Sequence, residues 1–168
     1  MDSVTLKSLN HPQDSGANKS SVEPIRVQHD GVEFALIIPA DFRGEGVQFF
    51  TPDSYSQQIA FMHHHEGKKI DAHVHNHTTR EVLFTQEVLV MRRGTLRVDF
   101  YSNDQEYIES RILNAGDTIL LIAGGHGFEV IEEVEMIEIK QGPYLGVDDK
   151  VRFTAIDSEL VKVVKTGH

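Results

Sequence analysis

The chain contains no cysteine. Disulfides, thiolate ligands and a cysteine nucleophile are therefore excluded, and any metal must be held by imidazole and carboxylate. Basic residues are scarce: 16 Lys and Arg stand against 26 Asp and Glu, a formal net charge of −10 with histidine neutral. Phosphate backbones and anionic bilayers need a basic face, so no nucleic acid and no membrane surface is expected as partner. No apolar run approaches the roughly 20 residues of a membrane span. The opening stretch MDSVTLKSLNHPQDSG lacks a basic segment followed by an apolar one, so a cytoplasmic location is the expectation. Motifs of the G-x-x-x-x-G-K, G-x-S-x-G and H-E-x-x-H kinds are absent, which removes the commonest phosphate-cradling and hydrolytic arrangements.

What is present reads as one soluble domain. The length of 168 residues suffices for a proper core, with 39% hydrophobic and 25% charged residues. Residues 1–24 are rich in Ser, Asn, Gln and Asp and read as an N-terminal arm. From Ile25 the text changes to short β-type runs separated by turn signals. Val32–Ile38, Val47–Phe50, Gln57–His65 and Ile70–His75 are the first candidates. Thr85–Met91 is expected to turn at Arg92-Arg93-Gly94 into Thr95–Tyr101, where Leu96, Val98 and Phe100 alternate with Arg97 and Asp99. Tyr107–Leu113, Thr118–Ile122, Phe128–Ile131, Glu135–Gln141 and Val151–Ile156 follow, with Glu132, Glu133 and Glu135 read as an acidic surface turn. Short strands without a long helical pattern or an internal repeat predict an all-β barrel or sandwich over residues 25–157, with 158–168 as a tail.

One stretch carries most of the chemistry. His73, His75 and His77 fall within five residues, and Glu81 and Glu87 follow. A strand sends residues i and i+2 to one side, so an H-x-H aims two imidazoles at one point. A third nitrogen and a carboxylate would complete a site for a borderline divalent metal.

Residues Ala72 to Gly127 resemble the cupin superfamily of small jelly-roll barrels. His73-Val74-His75, then Glu87, six residues and Gly94 match the first cupin motif, and Gly116-Asp117 with His126 match the second. Eleven residues separate His75 from Glu87, more than is usual, and Ile122 stands where the second motif commonly has proline. The phrases around Thr85–Leu89, Gly124–Glu129 and Lys140–Tyr144 resemble a branch of single-domain cupins with few assigned activities. The resemblance implies a double-stranded β-helix with a metal at the barrel mouth, ligated by His73, His75, Glu87 and His126. A rival register, His75-Asn76-His77 with Glu81, lacks the following glycine, because Val88 stands in that place. Glu87 is therefore preferred to Glu81, and His77 is left as a surface residue.

Three imidazoles and a carboxylate suit Fe, Mn, Ni, Zn or Co as the divalent ion, with positions left for water or a small-molecule ligand. The implied functions are a metal-dependent enzyme on a small polar or sugar-like metabolite, a dioxygenase or an isomerase/lyase, or else a non-catalytic small-ligand-binding or structural cupin. A homodimer is the expected assembly. In His63-His64-His65, alternation sets His64 opposite the other two, and which face lines the barrel is left open across the following turn.

Overall fold

The computed structural model describes residues 22–144 and 146–165; positions 1–21 of the expected arm and 166–168 of the tail lie outside them. The described chain is all-β. Its strands are β1 (Ile25–His29), β2 (Val32–Ile38), β3 (Gly46–Phe49), β4 (Ala60–His63), β5 (Glu87–Tyr101), β6 (Tyr107–Asn114), β7 (Thr118–Leu121) and β8 (Gly125–Lys140). Two single-turn 3-10 helices complete the regular structure. Six strands form one antiparallel sheet in the order β1-β2-β7-β5-β6, with β8 also paired to β5. That sheet is strongly curled into a half-barrel, and β3 pairs with β4 beside it.

The curl originates in β5. This strand pairs with β8 along its whole length, from Glu87↔Lys140 to Tyr101↔Gly125, but the register slips three times between Met91 and Leu96. Bulges of this kind bend a strand and increase its twist. At the bend Gly94 adopts φ +83°, and a Cβ there would lie 2.0 Å from the carbonyl oxygen of Glu133. The sequence predicts a turn separating two strands at this point. The chain instead rounds a corner while staying paired, because β8 follows it. Arg93 bridges to Glu133 and to Glu135, and Thr95 Oγ1 donates to Glu132 at 2.7 Å. The expected acidic surface turn is thus a paired part of β8.

The corner gives β5 two arms that share one core. Leu89 and Met91 from the first arm pack with Leu96, Val98 and Phe100 from the second, together with Val27, Phe34, Ala35, Ile37, Leu113, Ile119 and Leu121. Inward alternation along β2, β5 and β7 supplies this concave layer, as period-two patterning requires. Val88, Leu36, Leu120 and Ile122 face the other way and are covered by Phe50, Tyr55 and Ile59. Phe42 fastens the small sheet to the large one, meeting Phe50 and Phe61 edge-on at 5.3 and 5.1 Å.

Two expected strands do not form. Ile70–His75 and Val151–Ile156 have no ladder partner, and the first is exposed throughout. Arg97 and Asp99, which alternate with the core residues of β5, are buried as well. Arg97 donates from Nε to Asp99 Oδ1 at 2.8 Å, Ser110 Oγ donates to the same oxygen, and the tail crosses over them. Tyr107 Oη accepts from Lys162 N at 2.8 Å, Ser110 N donates to Lys162 O and Ser110 O accepts from Val164 N, both at 2.9 Å. Alternation correctly put Arg97 and Asp99 on the outer face; the tail then covers that face.

Replacing Gly94 by alanine is expected to cost about 2–4 kcal/mol in urea unfolding, since both a positive φ and a backbone collision oppose it. Gly31→Ala meets nothing within 4 Å and also has a positive φ. It should cost only about 1–2 kcal/mol. Equal losses would show that the corner relaxes away from Glu133 without resistance.

Candidate functional site

Glu87 opens β5, and its cross-strand partners are Leu121 on β7 and Lys140 on β8. His126 lies near the start of β8, opposite Phe100. Thirteen positions along β5 separate Glu87 from Phe100, about 43 Å if the strand were straight. Yet His126 Nε2 lies 3.1 Å from Glu87 Oε2. The corner at Gly94 accounts for this meeting, because it brings the two arms of the β5–β8 ladder back toward each other.

A second constraint places His126. The chain leaves β7 at Leu121 and enters β8 at Gly125, so it must cross between the arms in a few residues. Gly124 makes this crossing at φ +71°, where a Cβ would lie 2.4 Å from the Tyr101 carbonyl oxygen and 2.5 Å from the Phe34 ring. Ile122 N donates to Phe34 O at 2.8 Å and fixes the start of the crossing. Gly116-Asp117 serves the preceding turn: buried Asp117 accepts from Ala40 N at 2.9 Å and from Asn114 N at 2.8 Å.

The pair sits in a cavity of about 420 Å³ at the open end of the rolled sheet. Glu87 and His126 share its wall with Phe84, Asn103, Asp149 and Phe153. Lys140 Nζ stands 3.9 Å from Glu87 Oε1 and 3.2 Å from Asp149 Oδ2, below the Tyr144 ring at 5.6 Å. His126, Glu87, Lys140 and Asp149 are therefore linked in a row, of which His126, Glu87 and Asp149 line the wall. Glu87, Lys140 and Asp149 keep most of their side chains out of water.

The hydrogen bond from His126 holds the Glu87 carboxyl below the usual glutamate range, overcoming the opposing effect of burial, with the charge of Lys140 adding to it. The Asp149 carboxylate bonded to Lys140 raises that ammonium above its ordinary value against desolvation. Glu87 is thus an anion at neutral pH with a directional partner on each oxygen. Such a carboxylate can ligate a metal, orient a hydroxylated ligand, or exchange a proton with the imidazole beside it.

The other residues expected at the site stand elsewhere. His73 and His75 are exposed on the irregular segment between β4 and β5, with ring centroids 5.4 Å apart and His73 Nδ1 2.9 Å from Asp71 O. His77 and Glu81 are exposed on the same segment. The structure therefore brings Glu87 and His126 together, keeps His73 beside His75, and does not join the two pairs. Among the described residues, no group of three or more His, Asp or Glu side chains stands in metal-holding geometry. Glu87 and His126 have the mutual spacing of two ligands of one ion. Lys140 and Asp149 belong to the site but lack a sequence signal of their own. Strand pairing brings Lys140 to Glu87, and the 3-10 turn after β8 brings Asp149 to Lys140. No helix of the described residues is long and apolar enough to cross a membrane.

No protein-family model, no curated protein and no solved structure matches this chain.

The lowered Glu87 pKa fixes the sign of a pH effect. A depressed carboxyl contributes stability that is complete above the unfolded glutamate pKa and is lost as pH falls through the folded one. Thermal unfolding followed from about pH 7 to about pH 3 should show a steeper acid loss in the wild type than in Glu87→Gln, the wild type's advantage closing below about pH 4.5. Parallel curves would mean that the His126 contact does not hold the Glu87 proton off.

Proposed function

We propose that this protein is a cupin-type barrel that binds a small polar metabolite in the cavity around Glu87 and His126, with a divalent metal as the companion of that site. The observation that carries the reading is the meeting of Glu87 and His126 at 3.1 Å, from opposite ends of the β5–β8 ladder. Two donors that share an ion at about 2.1 Å lie roughly 3.0–3.4 Å apart for ligand angles between octahedral and tetrahedral values. The cavity of about 420 Å³ has room for a metabolite of a few carbons beside them.

Glu87 and His126 form the fixed half of the proposed centre, and His73 and His75 are its other half. The latter two ride on a segment whose far end, Leu83 to Thr85, already lines the cavity. When bound, an Fe, Mn, Ni, Zn or Co ion would supply a Lewis acid or a redox partner. The chain's own contribution is clearer: Glu87 and Asp149 accept from hydroxyls, Lys140 donates, and Phe84 and Phe153 cover apolar edges. A homodimer belongs to the same reading. The outer edge of β8 has no strand partner among the described residues, and it exposes Val130, Ile137 and Ile139.

One observation favours a second reading, a metal-free binding protein of the same fold. Glu87 already has His126 and Lys140 as partners, so its charge is balanced without an ion.

Metal analysis of tag-free protein separates the two. In the first reading the wild type retains a tightly held ion after dialysis, Glu87→Ala and His75→Ala both lose it, and His65→Ala keeps it. Equal, negligible metal in wild type and both variants would sink the metal reading. An ion lost from Glu87→Ala but kept by His75→Ala would remove His73 and His75 from the centre.

A further inference from the structure

We propose that Glu45, His63 and His65 form a separate surface site for a borderline divalent cation such as zinc, nickel or copper. Pairing of β3 with β4 sets Gly46 opposite His63, so Glu45 lies just beyond the end of that ladder, beside the histidine run. His63 and His65 are two residues apart on an extended chain and project to one side, and His64 projects to the other. Both rings meet the same carboxylate oxygen: His63 Nδ1 lies 3.2 Å and His65 Nε2 3.5 Å from Glu45 Oε2. Their ring centroids are 5.1 Å apart, edge to face.

The backbone holds this arrangement from both sides. Lys68 N donates to His65 O at 3.2 Å, closing the turn that follows. Gln48 Nε2 donates to Glu45 O at 3.2 Å and fixes the approach of the other strand. The three side chains are 43%, 82% and 48% exposed for His63, His65 and Glu45, so they can rotate without disturbing the core.

Two imidazoles crowding one carboxylate oxygen is unusual for a simple pair of surface contacts, since each ring has free solvent to turn to. The nitrogen-to-oxygen separations are close to those of ligands around a shared ion. The trio is not in metal-holding geometry as it stands, consistent with the absence of any such group among the described residues. Small rotations about the side-chain bonds would open the contacts and direct one lone pair from each ring, and one carboxylate oxygen, at an ion between them. Two nitrogens and an oxygen suit zinc, nickel or copper, whereas calcium and magnesium prefer oxygen alone. Three protein ligands leave at least one position for water. The site includes none of the residues of the cavity around Glu87.

Zinc titration against a chromogenic chelator tests this on the full chain carrying His73→Ala, His75→Ala and His126→Ala, which removes the histidines of the proposed cavity centre. One equivalent should bind. Adding His65→Ala or Glu45→Gln should weaken binding at least tenfold, and adding His64→Ala should change it less than twofold. In the unmodified chain, substoichiometric copper(II) should broaden the ring signals of His63 and His65 before that of His64. The proposal is overturned if the background chain binds no zinc, if His65→Ala and Glu45→Gln leave affinity unchanged, or if His64→Ala costs as much as His65→Ala. Broadening of all three rings in parallel would also overturn it, since that marks a loose histidine run and not a built site.

Discussion

The corner in β5 is the constraint on which the molecule depends. A fifteen-residue strand paired throughout to a sixteen-residue partner would, if straight, make a long flat ribbon with its apolar face open to water. Gly94 prevents this. Its positive φ and its close approach to the Glu133 backbone let the ladder bend while keeping its pairing. Leu89 and Met91 then share a core with Leu96, Val98 and Phe100, although the two sets come from different arms of one strand. Burial of five such side chains is worth several kcal/mol, at about 1.5–3 kcal/mol each, and it is available only in the bent form. The same bend brings Glu87 to His126. Core and candidate site therefore have one cause.

Polar groups in the interior follow a consistent rule: each is paired before it is buried. Asp117 accepts from two backbone amides. Asp99 is satisfied by Arg97 and Ser110, and Arg97 reaches Glu129 as well. Among the described residues no buried side-chain nitrogen or oxygen lacks a partner. The cluster at the cavity differs in one respect. Glu87, His126, Lys140 and Asp149 are linked in a chain, and Glu87, His126 and Asp149 border open volume where an additional ligand can compete for their hydrogen bonds. Arg97 and Asp99 sit under the tail and border none. Chemistry is plausible at the first cluster and only cohesion at the second, because exposure to a cavity separates groups that can exchange partners from groups that cannot.

The sequence was legible where a residue's neighbours along the chain decide its role. Val32–Ile38 was found with its bounds intact, and Tyr107–Leu113 and Thr118–Ile122 came within one residue of β6 and β7. Turn signals and period-two alternation are local, and they suffice there. The corner was misread as a hairpin turn because Arg92-Arg93-Gly94 looks the same in either case; whether a glycine ends a strand or bends it depends on a partner forty residues away. Glu132, Glu133 and Glu135 were misread for the same reason, since pairing with Arg93 and Thr95 is invisible from their composition. Asp30-Gly31, between β1 and β2, is a readable hairpin signal, with φ of 49° and 76° at the two positions. Of the expected site, Glu87 and His126 come together, while Lys140 enters through sheet register and Asp149 through the 3-10 turn that follows β8.

Two pairs of histidines illustrate why spacing is only half of a site. His63 and His65, and likewise His73 and His75, are separated by two residues, and in each pair the rings come within about the same distance, 5.1 and 5.4 Å. The period of an extended chain gives this much to any H-x-H. What differs is the next element. His63 belongs to a strand whose partner ends in a carboxylate, so Glu45 is carried to both rings by the ladder. His73 and His75 lie on a segment without a ladder, and His73 turns to the nearby Asp71 carbonyl. A carboxylate two strands away can be positioned only by pairing, and pairing is what the segment between β4 and β5 lacks. The same logic explains Glu87 and His126, which have no sequence proximity at all and meet because both ends of one ladder are rolled together. In this fold the histidine spacing nominates candidates, and the hydrogen-bonded ladders decide which of them acquire a carboxylate.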